Sequence, residues 1–224
     1  MEFNIITIFP NFFDSFKKES LLKRAQEKKL LCINIHNLRD FTLDKHNTVD
    51  EKPFGGGLGM VIKVEPVYKA VKAIKKKKKT RVILFTPRGK KFTQKIASEY
   101  AKYEQLIFIC GRYEGVDERI AKHIADEELS IGDYVLMGGE VPAMAVIETV
   151  SRLIPGVIGK KEFLKERVSK IKGRGGDAFI EYPQYTRPEV FEPKKGIKWR
   201  TPKVLVSGDH KAIAEWKRKH GRII

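Results

Sequence analysis

The 224-residue chain has few of the residues that build disulfides and metal centres. Its two cysteines, Cys32 and Cys110, lie far apart inside apolar runs, and its five histidines show no ligand spacing. These features argue against a disulfide framework and a metal site, and they fit a reducing, cytoplasmic compartment. No apolar run approaches the roughly 18 residues of a membrane span. The apolar start, MEFNIITIF, lacks a basic leading region and predicts a core strand, not a signal peptide.

The common nucleotide-binding and hydrolase signatures are also absent. The chain has no G-x-x-x-x-G-K-[ST], no H-E-x-x-H and no G-x-S-x-G. Residues 55–60, GGGLGM, are glycine-rich but lack the lysine and hydroxyl partners of a phosphate cradle. A nucleotide-dependent enzyme built on this loop is therefore the last-ranked interpretation.

Acidic residues are scarce beside basic ones, since 28 Asp and Glu face 45 Lys and Arg, a formal charge of +17. This excess indicates a polyanionic partner, with nucleic acid ahead of a membrane surface. A non-catalytic RNA-binding module would also fit it. The lysine run 75–79 is predicted to be a solvated connection. The better candidates for RNA-phosphate contacts lie in the last third of the chain: Lys165, Arg167, Lys170, Lys172, Arg174, Lys194, Lys195, Lys198, Arg200, Lys217 and Arg218.

Apolar, strand-like runs alternate with helical patterns through the first two thirds of the chain, which predicts an α/β fold with a mostly parallel sheet. The predicted strands are 4–9, 31–35, 82–85, 106–110 and 134–137. The predicted helices are 12–29, one from 65 into the lysine run, 93–103, 116–125, 142–153 and 209–220, the last capped by Ser207 or Asp209. We expect an α/β domain over 1–160, a flexible basic linker over 161–176 and a small helical domain over 177–224.

Three glycine-containing segments form candidate ligand loops. The first two directly follow predicted strands, and all three are expected at the carboxyl ends of neighbouring strands. They are 86–89 (TPRG), 111–115 (GRYEG) and 131–140 (IGDYVLMGGE). Open α/β sheets bind ligands at the carboxyl ends of their strands, and glycine lets the backbone approach a flat ring closely. A fourth, polar segment, 44–57, contains His46 and Asp50, which could contact the edge of a base.

Several motifs occur together in the order found in one family. They include VD at 49–50, GGGLGM at 55–60, CGRYEGVDER at 110–119, IGDYVL at 131–136 and SRLIPG at 151–156. YPQYTRP at 182–188 and LVSGDH at 205–210 follow. Over nearly its whole length the chain resembles bacterial tRNA (guanine-N1)-methyltransferases, the TrmD family.

The resemblance implies a SPOUT-class α/β domain with a deep trefoil knot, and an obligate homodimer with the active site at the subunit interface. It implies S-adenosylmethionine as methyl donor and N1 of the guanosine immediately 3′ of the anticodon, position 37 of tRNA, as acceptor. It also implies some dependence on Mg²⁺, for which the sequence shows no ligand set. A SPOUT enzyme acting on a ribose 2′-hydroxyl or another base is the closest alternative.

The same resemblance assigns roles to individual residues. Arg152 matches the catalytic arginine, and His46, Asp50 and Arg112 match positions that hold the target guanine, as does Glu114. The cofactor-binding positions, among which Glu114 is also placed, are Thr86, Pro87, Gly111, Glu114, Ile131, Gly132, Asp133, Tyr134, Val135, Leu136, Gly138, Gly139 and Pro142.

Methylation of guanine at N1 requires a general base, because that nitrogen carries a proton at neutral pH. The family has Glu-Asp-Ser-Phe or a close variant in its linker, whereas this chain has GDAF at 176–179, with different spacing. We expect Asp177 to be the base, with Glu181 as the second candidate. The guanidinium of Arg152 would stabilise the charge that develops on O6.

Overall fold

The computed structural model describes residues 1–159, 168–170 and 177–223. The chain divides into two compact units, Met1–Lys161 and Glu162–Ile224. The described part of the first unit contains seven strands, six α-helices and two short 3₁₀ helices, Pro10–Phe13 and Leu38–Phe41. The strands are β1 (Glu2–Thr7), β2 (Cys32–Asn37), β3 (Asp50–Glu51), β4 (Val61–Ile62), β5 (Thr80–Lys91), β6 (Gln105–Ile109) and β7 (Glu127–Ser130). The helices are α1 (Asp14–Lys18), α2 (Ser20–Glu27), α3 (Val64–Ala73), α4 (Gln94–Tyr100), α5 (Glu118–His123) and α6 (Glu140–Ser151).

The central sheet has five strands in the order β2-β1-β6-β5-β7. Every neighbouring pair in it is parallel, which confirms the predicted α/β fold with a mostly parallel sheet. Parallel strands of this kind are covered on both faces, and β6, at the centre, is buried at all five positions.

Alternate residues of the strands supply two hydrophobic cores, one on each face of the sheet. Phe3 and Phe108 belong to the core covered by α2, α4 and α6. Ile107 and Ile109 belong to the core covered by α3, α5 and the second 3₁₀ helix. The sheet is thus a rigid layer whose carboxyl edge carries the unpaired residues of β5 after Phe85 and the loops after β6 and β7.

Three local predictions were wrong. The helix predicted over 12–29 is divided, because Glu19 is extended between α1 and α2, which lets Phe13 and Leu22 reach the same core. Residues 134–137 form no strand; Tyr134 and Met137 are exposed, and the strand that precedes them is β7. Helix α3 also ends at Ala73, before the lysine run.

The second unit combines strands with helices. Its described strands are β8 (Val168–Lys170), β9 (Asp177–Glu181), β10 (Val190–Lys194), β11 (Ile197–Arg200) and β12 (Arg222–Ile223). Its described helices are α7 (Lys203–Val206) and α8 (His210–His220), and Asp209 caps α8 by accepting from Lys211 and Ala212 N–H groups. The prediction of a helical domain thus left out a sheet, β12-β9-β8, and the β10–β11 hairpin. Of the predicted linker, 168–170 form a strand, and 161–167 and 171–176 lie outside the described residues.

Candidate active site

A cleft of about 450 Å³ lies at the carboxyl edge of the sheet. It is formed where residues 86–88, 111–116 and 131–139 converge after Phe85, β6 and β7. Phe85 and Lys90 both pair with Leu129, so the residues between them leave the strand and form one wall. Twelve of the thirteen predicted cofactor residues line the cleft: Thr86, Pro87, Gly111, Glu114, Ile131, Gly132, Tyr134, Val135, Leu136, Gly138, Gly139 and Pro142.

Backbone contacts hold two of these loops together. The Gly139 N–H donates to the Gly111 carbonyl at 3.0 Å, and Gly138 forms an isolated antiparallel bridge with Arg112. A Cβ at position 139 would lie 2.6 Å from Cys110 Cα, closer than real Cβ atoms approach backbone. Gly139 is therefore required for the close approach of the loops after β6 and β7.

Arg112, predicted to hold the substrate, is fixed in place by a buried carboxylate. Its Nε donates to Glu140 Oε2 at 2.9 Å, and Glu140 Oε1 accepts from the Thr7 hydroxyl at 2.7 Å. Glu140 is fully buried, and the Arg112 guanidinium carbon lies 4.6 Å from the Phe9 ring centroid. A buried charge is tolerated when it is paired and hydrogen-bonded, and here the pair sets the direction in which Arg112 enters the cleft wall.

Glu140 and Thr7 are not among the site residues predicted from the sequence. Glu140 ends the segment 131–140 and begins α6, where an acid is typical of a helix N-terminus. Its burial depends on Thr7, 133 positions away, and no local pattern encodes that contact.

The cleft rim carries an ion-pair cluster that the site assignment also missed. Arg88 donates to Glu118 at 2.8 Å and to Glu128 at 3.4 Å. The hydrogen bond from Arg88 holds the pKa of Glu118 below its ordinary value. Both Arg88 and Glu118 line the cleft, although the pair is largely exposed and therefore contributes little to stability.

Cys110 lies beside the cleft but is buried and chemically quiet. Burial, with a further contribution from Glu140, raises the pKa of its thiol well above the ordinary value. The thiol is therefore protonated at neutral pH and is a poor nucleophile.

Asp133 is the one predicted cofactor residue that does not line the cleft. Its exposed carboxylate forms an ion pair with Lys91. The neighbouring residues Gly132 and Tyr134 do line the cleft. Asp133 would therefore contact a bound cofactor only if the loop that carries it changed conformation.

The predicted guanine-binding residue Asp50 lies on a hairpin attached to one cleft wall. In β3 it pairs with Ile62 of β4, and the Ile62 N–H donates to the Gly115 carbonyl at 3.0 Å. The Glu114 N–H donates to the Met60 carbonyl at 3.1 Å. His46 lies further away along the chain in an exposed turn, where Asp44 accepts from its N–H at 3.2 Å. Neither Asp50 nor His46 lines the cleft.

The two predicted catalytic residues belong to different units. Arg152 is exposed at the C-terminal end of α6 and does not line the cleft. Asp177 lies in β9 of the second unit, where it pairs with Lys170 of β8. Glu181, the second candidate base, pairs with Arg222 at the other end of β9.

Two further findings concern metals and membranes. Among the described residues, no group of three or more His, Cys, Asp or Glu side chains could hold a metal ion. The predicted dependence on Mg²⁺ therefore stays a prediction without a ligand set. Within the same part of the chain, no helix is long and apolar enough to cross a membrane.

The fold and the cleft together define an α/β protein with a small-molecule site at the carboxyl edge of a parallel sheet. Comparison with known proteins makes this class specific. Residues 1–223 match the family described as tRNA (Guanine-1)-methyltransferase TrmD. The chain belongs to this family, and its enzyme class is tRNA (guanine-N1)-methyltransferase.

Curated relatives carry the same name, "tRNA (guanine-N(1)-)-methyltransferase". The protein of Dictyoglomus turgidum is 50% identical over 219 residues, which cover 98% of this chain and 84% of the relative. That of Carboxydothermus hydrogenoformans is 49% identical, covering 98% and 82%. That of Clostridium perfringens is 47% identical, covering 100% and 89%. The family resemblance inferred from the motifs is thereby confirmed, and a non-catalytic RNA-binding module is set aside.

Proposed function

We propose that this chain transfers a methyl group from S-adenosylmethionine to N1 of the guanosine at position 37 of tRNA, giving 1-methylguanosine. The observation that carries the proposal is the cleft at the carboxyl edge of the sheet, lined by twelve residues that match cofactor positions. The family supplies the reaction class. The net charge of +17 suits a polyanionic substrate.

The cleft fits S-adenosylmethionine in size and chemistry. Its volume of about 450 Å³ falls within the usual range of small-molecule sites. Exposed apolar side chains of the lining, such as Val135 and Leu136, offer a surface for a flat ring, and Gly111 and Gly138 let that ring approach the backbone closely. When bound, S-adenosylmethionine would supply an electrophilic methyl group, so no protein nucleophile is required. The protonated thiol of Cys110 accords with that.

The protein must then handle a proton and a developing charge. In the proposal the carboxylate of Asp177 accepts the N1 proton of the guanine as the methyl group arrives. Arg152 donates hydrogen bonds to O6, onto which negative charge moves. Arg112, held by Glu140, orients the base together with Asp50 and His46. Glu181 is the alternative base.

The proposal also includes the SPOUT trefoil knot and a homodimer whose active site lies at the subunit interface. Support for a shared site comes from Arg152, which is exposed and lies outside the lining of its own subunit's cleft. The domain scheme remains 1–160 for cofactor binding, 161–176 as linker and 177–224 for tRNA binding. Of the proposed phosphate contacts, Lys165, Arg167, Lys172 and Arg174 lie outside the described residues.

Methyl transfer from labelled S-adenosylmethionine to unmodified tRNA transcripts tests the reaction and its position together. A transcript with guanosine at position 37 should be labelled, and one with adenosine there should not. Equal labelling of both would overturn the position, and no labelling of either would overturn the activity.

Mixing two inactive variants tests the shared site and both catalytic residues. Asp177→Asn and Arg152→Ala should each lower single-turnover methylation by orders of magnitude with cofactor affinity nearly unchanged. If the two residues of one site come from different subunits, a mixed dimer has one intact site and regains activity. Mixed samples that remain inactive would place both residues in one subunit, and full activity of Asp177→Asn would pass the role of base to Glu181.

A further inference from the structure

The β10–β11 hairpin exposes an aromatic pair that no assigned role uses. Phe191 and Trp199 are cross-strand partners with ring centroids 5.7 Å apart and an interplanar angle of 53°. Ile197, two positions before Trp199, lies on the same face because side chains alternate along a strand. Phe191, Ile197 and Trp199 are 50%, 49% and 62% exposed. Three large apolar side chains on one face of an isolated hairpin form a contact surface.

Charge on the hairpin indicates what this surface contacts. Residues 190–200 contain four basic side chains and one acidic one, a net charge of +3. The basic residues Lys194, Lys198 and Arg200 belong to the two strands. The acid, Glu192, accepts from the Gly196 N–H at 2.7 Å within the turn. The other charged side chains of the hairpin are cationic. Lys194 is the cross-strand partner of Ile197 and therefore shares the aromatic face, while Lys198 and Arg200 alternate to the opposite face.

We propose that Phe191 and Trp199 form a stacking platform for unpaired bases of the RNA substrate, with Lys194 on the same face contacting its phosphates. Aromatic side chains that stack on bases, set in a positively charged surface, are the general means of binding unpaired nucleotides. This inference rests on the proposed function for the identity of the RNA, and it adds a contact by base stacking to the phosphate contacts expected from charge.

RNA fits this surface better than a second copy of the chain. Two such hairpins placed face to face would bring two net charges of +3 together, and like charges without compensation oppose association. The rings are also separated and tilted rather than packed parallel. A planar base can therefore cover either ring.

The experiment measures tRNA affinity of the full chain as a function of salt. The probe is the unmodified transcript with guanosine 37, and the variants are Trp199→Leu, Phe191→Leu, Trp199→Phe and Lys194→Gln. Tyr68→Leu is the matched control, because Tyr68 is 53% exposed and has Lys72 Nζ 5.7 Å from its ring centroid, but it lies on α3.

Stacking and phosphate contacts predict different results. Trp199→Leu should weaken binding by about tenfold at every salt concentration, since base–aromatic stacking contributes roughly this much per base. Trp199→Phe should retain most of the affinity because it keeps a ring. Lys194→Gln should instead reduce the slope of log affinity against log salt by about 0.7, the value for one contact to a single strand. Tyr68→Leu should change neither.

Two outcomes would overturn the platform. One is affinity of Trp199→Leu within twofold of that of Tyr68→Leu. The other is a loss of affinity in Trp199→Leu that gel filtration traces to a changed oligomeric state, which would make the face an interface between copies. Failure of the wild-type chain to methylate the transcript would count against the proposed function alone, because the binding measurement does not depend on turnover.

Discussion

The two edges of the central sheet use their polar groups differently. At the amino edge, Glu2 accepts from Asn4 at 2.9 Å and from Gln105 at 3.2 Å, and pairs with Lys77 at 2.8 Å. Gln105, fully buried, also accepts from the Thr80 hydroxyl at 2.7 Å. These side chains bind one another and hold the starts of β1, β5 and β6 in register.

At the carboxyl edge, the residues of β5 after Phe85 and the glycine-containing loops after β6 and β7 surround an open cleft. Tyr134, Val135 and Met137 are 54%, 84% and 87% exposed, although they are apolar or aromatic. The polar contacts there, such as Glu140 to Arg112, orient a side chain at the cleft wall. A ligand can bind at the carboxyl edge because apolar side chains there are exposed to solvent. The polar network at the amino edge, by contrast, is satisfied by its own hydrogen bonds and serves the structure of the sheet.

The largest effect is expected from filling the space between the loops at the carboxyl edge. Gly139→Ala should lower kcat/KM by about 10²-fold, because a displacement of the order of 1 Å in a positioned site costs that much. The added Cβ would overlap Cys110 Cα, so cofactor affinity measured by calorimetry should fall as well. Gly159→Ala is the matched control, since a Cβ at that position meets nothing within 4 Å. Equal activity of the two variants would show that the close approach of the loops after β6 and β7 at Gly139 is not needed for activity.

The next effect concerns the buried pair that orients Arg112. Glu140→Gln leaves the Arg112 charge without its partner, and breaking a buried pair costs about 3 kcal/mol of unfolding free energy. Below the unfolding temperature, KM for tRNA should rise more than the affinity for S-adenosylmethionine falls. The matched control is Glu65→Gln, which breaks an exposed pair with Lys69 on α3 and should alter neither quantity. Unchanged tRNA kinetics in Glu140→Gln would limit Glu140 to a role in stability.

The sequence predicted the sheet because its central strands are continuous apolar runs, such as Leu106 to Ile109, buried on both faces. Strand β7 was not predicted because it begins with two charged residues, Glu127 and Glu128, so that its buried part, Leu129 and Ser130, is too short to form an apolar run. The sequence predicted a strand over 134–137 because apolar residues that line a cleft have the same pattern as residues in a core. A local sequence pattern shows that residues are hydrophobic, but it does not show whether they pack in a core or line a cleft.

The candidate site shows the same division. Its loops were predictable, since glycines after strands and the family motifs mark them. The hydrogen bonds that orient Arg112 could not be predicted, because Thr7 at the end of β1 and Glu140 at the start of α6 hold a residue in the loop after β6. Such long-range pairs are fixed by the fold and leave no local spacing in the chain.

The smallest effect tests the claim that the amino-edge network is structural. His36 Nε2 lies 2.9 Å from Asn4 Oδ1, which also accepts from Asn34, so the neutral ring donates from Nε2. Burial lowers the pKa of His36 from its ordinary 6.5, and the opposing attraction of Glu2 does not restore it. As the pH falls below 6.5, the unfolded chain therefore takes up a proton that the folded chain does not.

The contribution of His36 to stability is consequently complete above pH 6.5 and declines as the pH falls from there toward the lowered pKa of the folded state. Urea unfolding at pH about 7.5 and about 5.5 should show a smaller decline for His36→Gln, which keeps a donor but does not titrate. Methyl transfer at neutral pH should be the same in both proteins, because His36 does not line the cleft. Parallel curves for wild type and variant would show that another group sets the slope. A loss of methyl transfer in His36→Gln would show that the polar network and the cleft are coupled through β1, the strand that carries both Asn4 and Thr7.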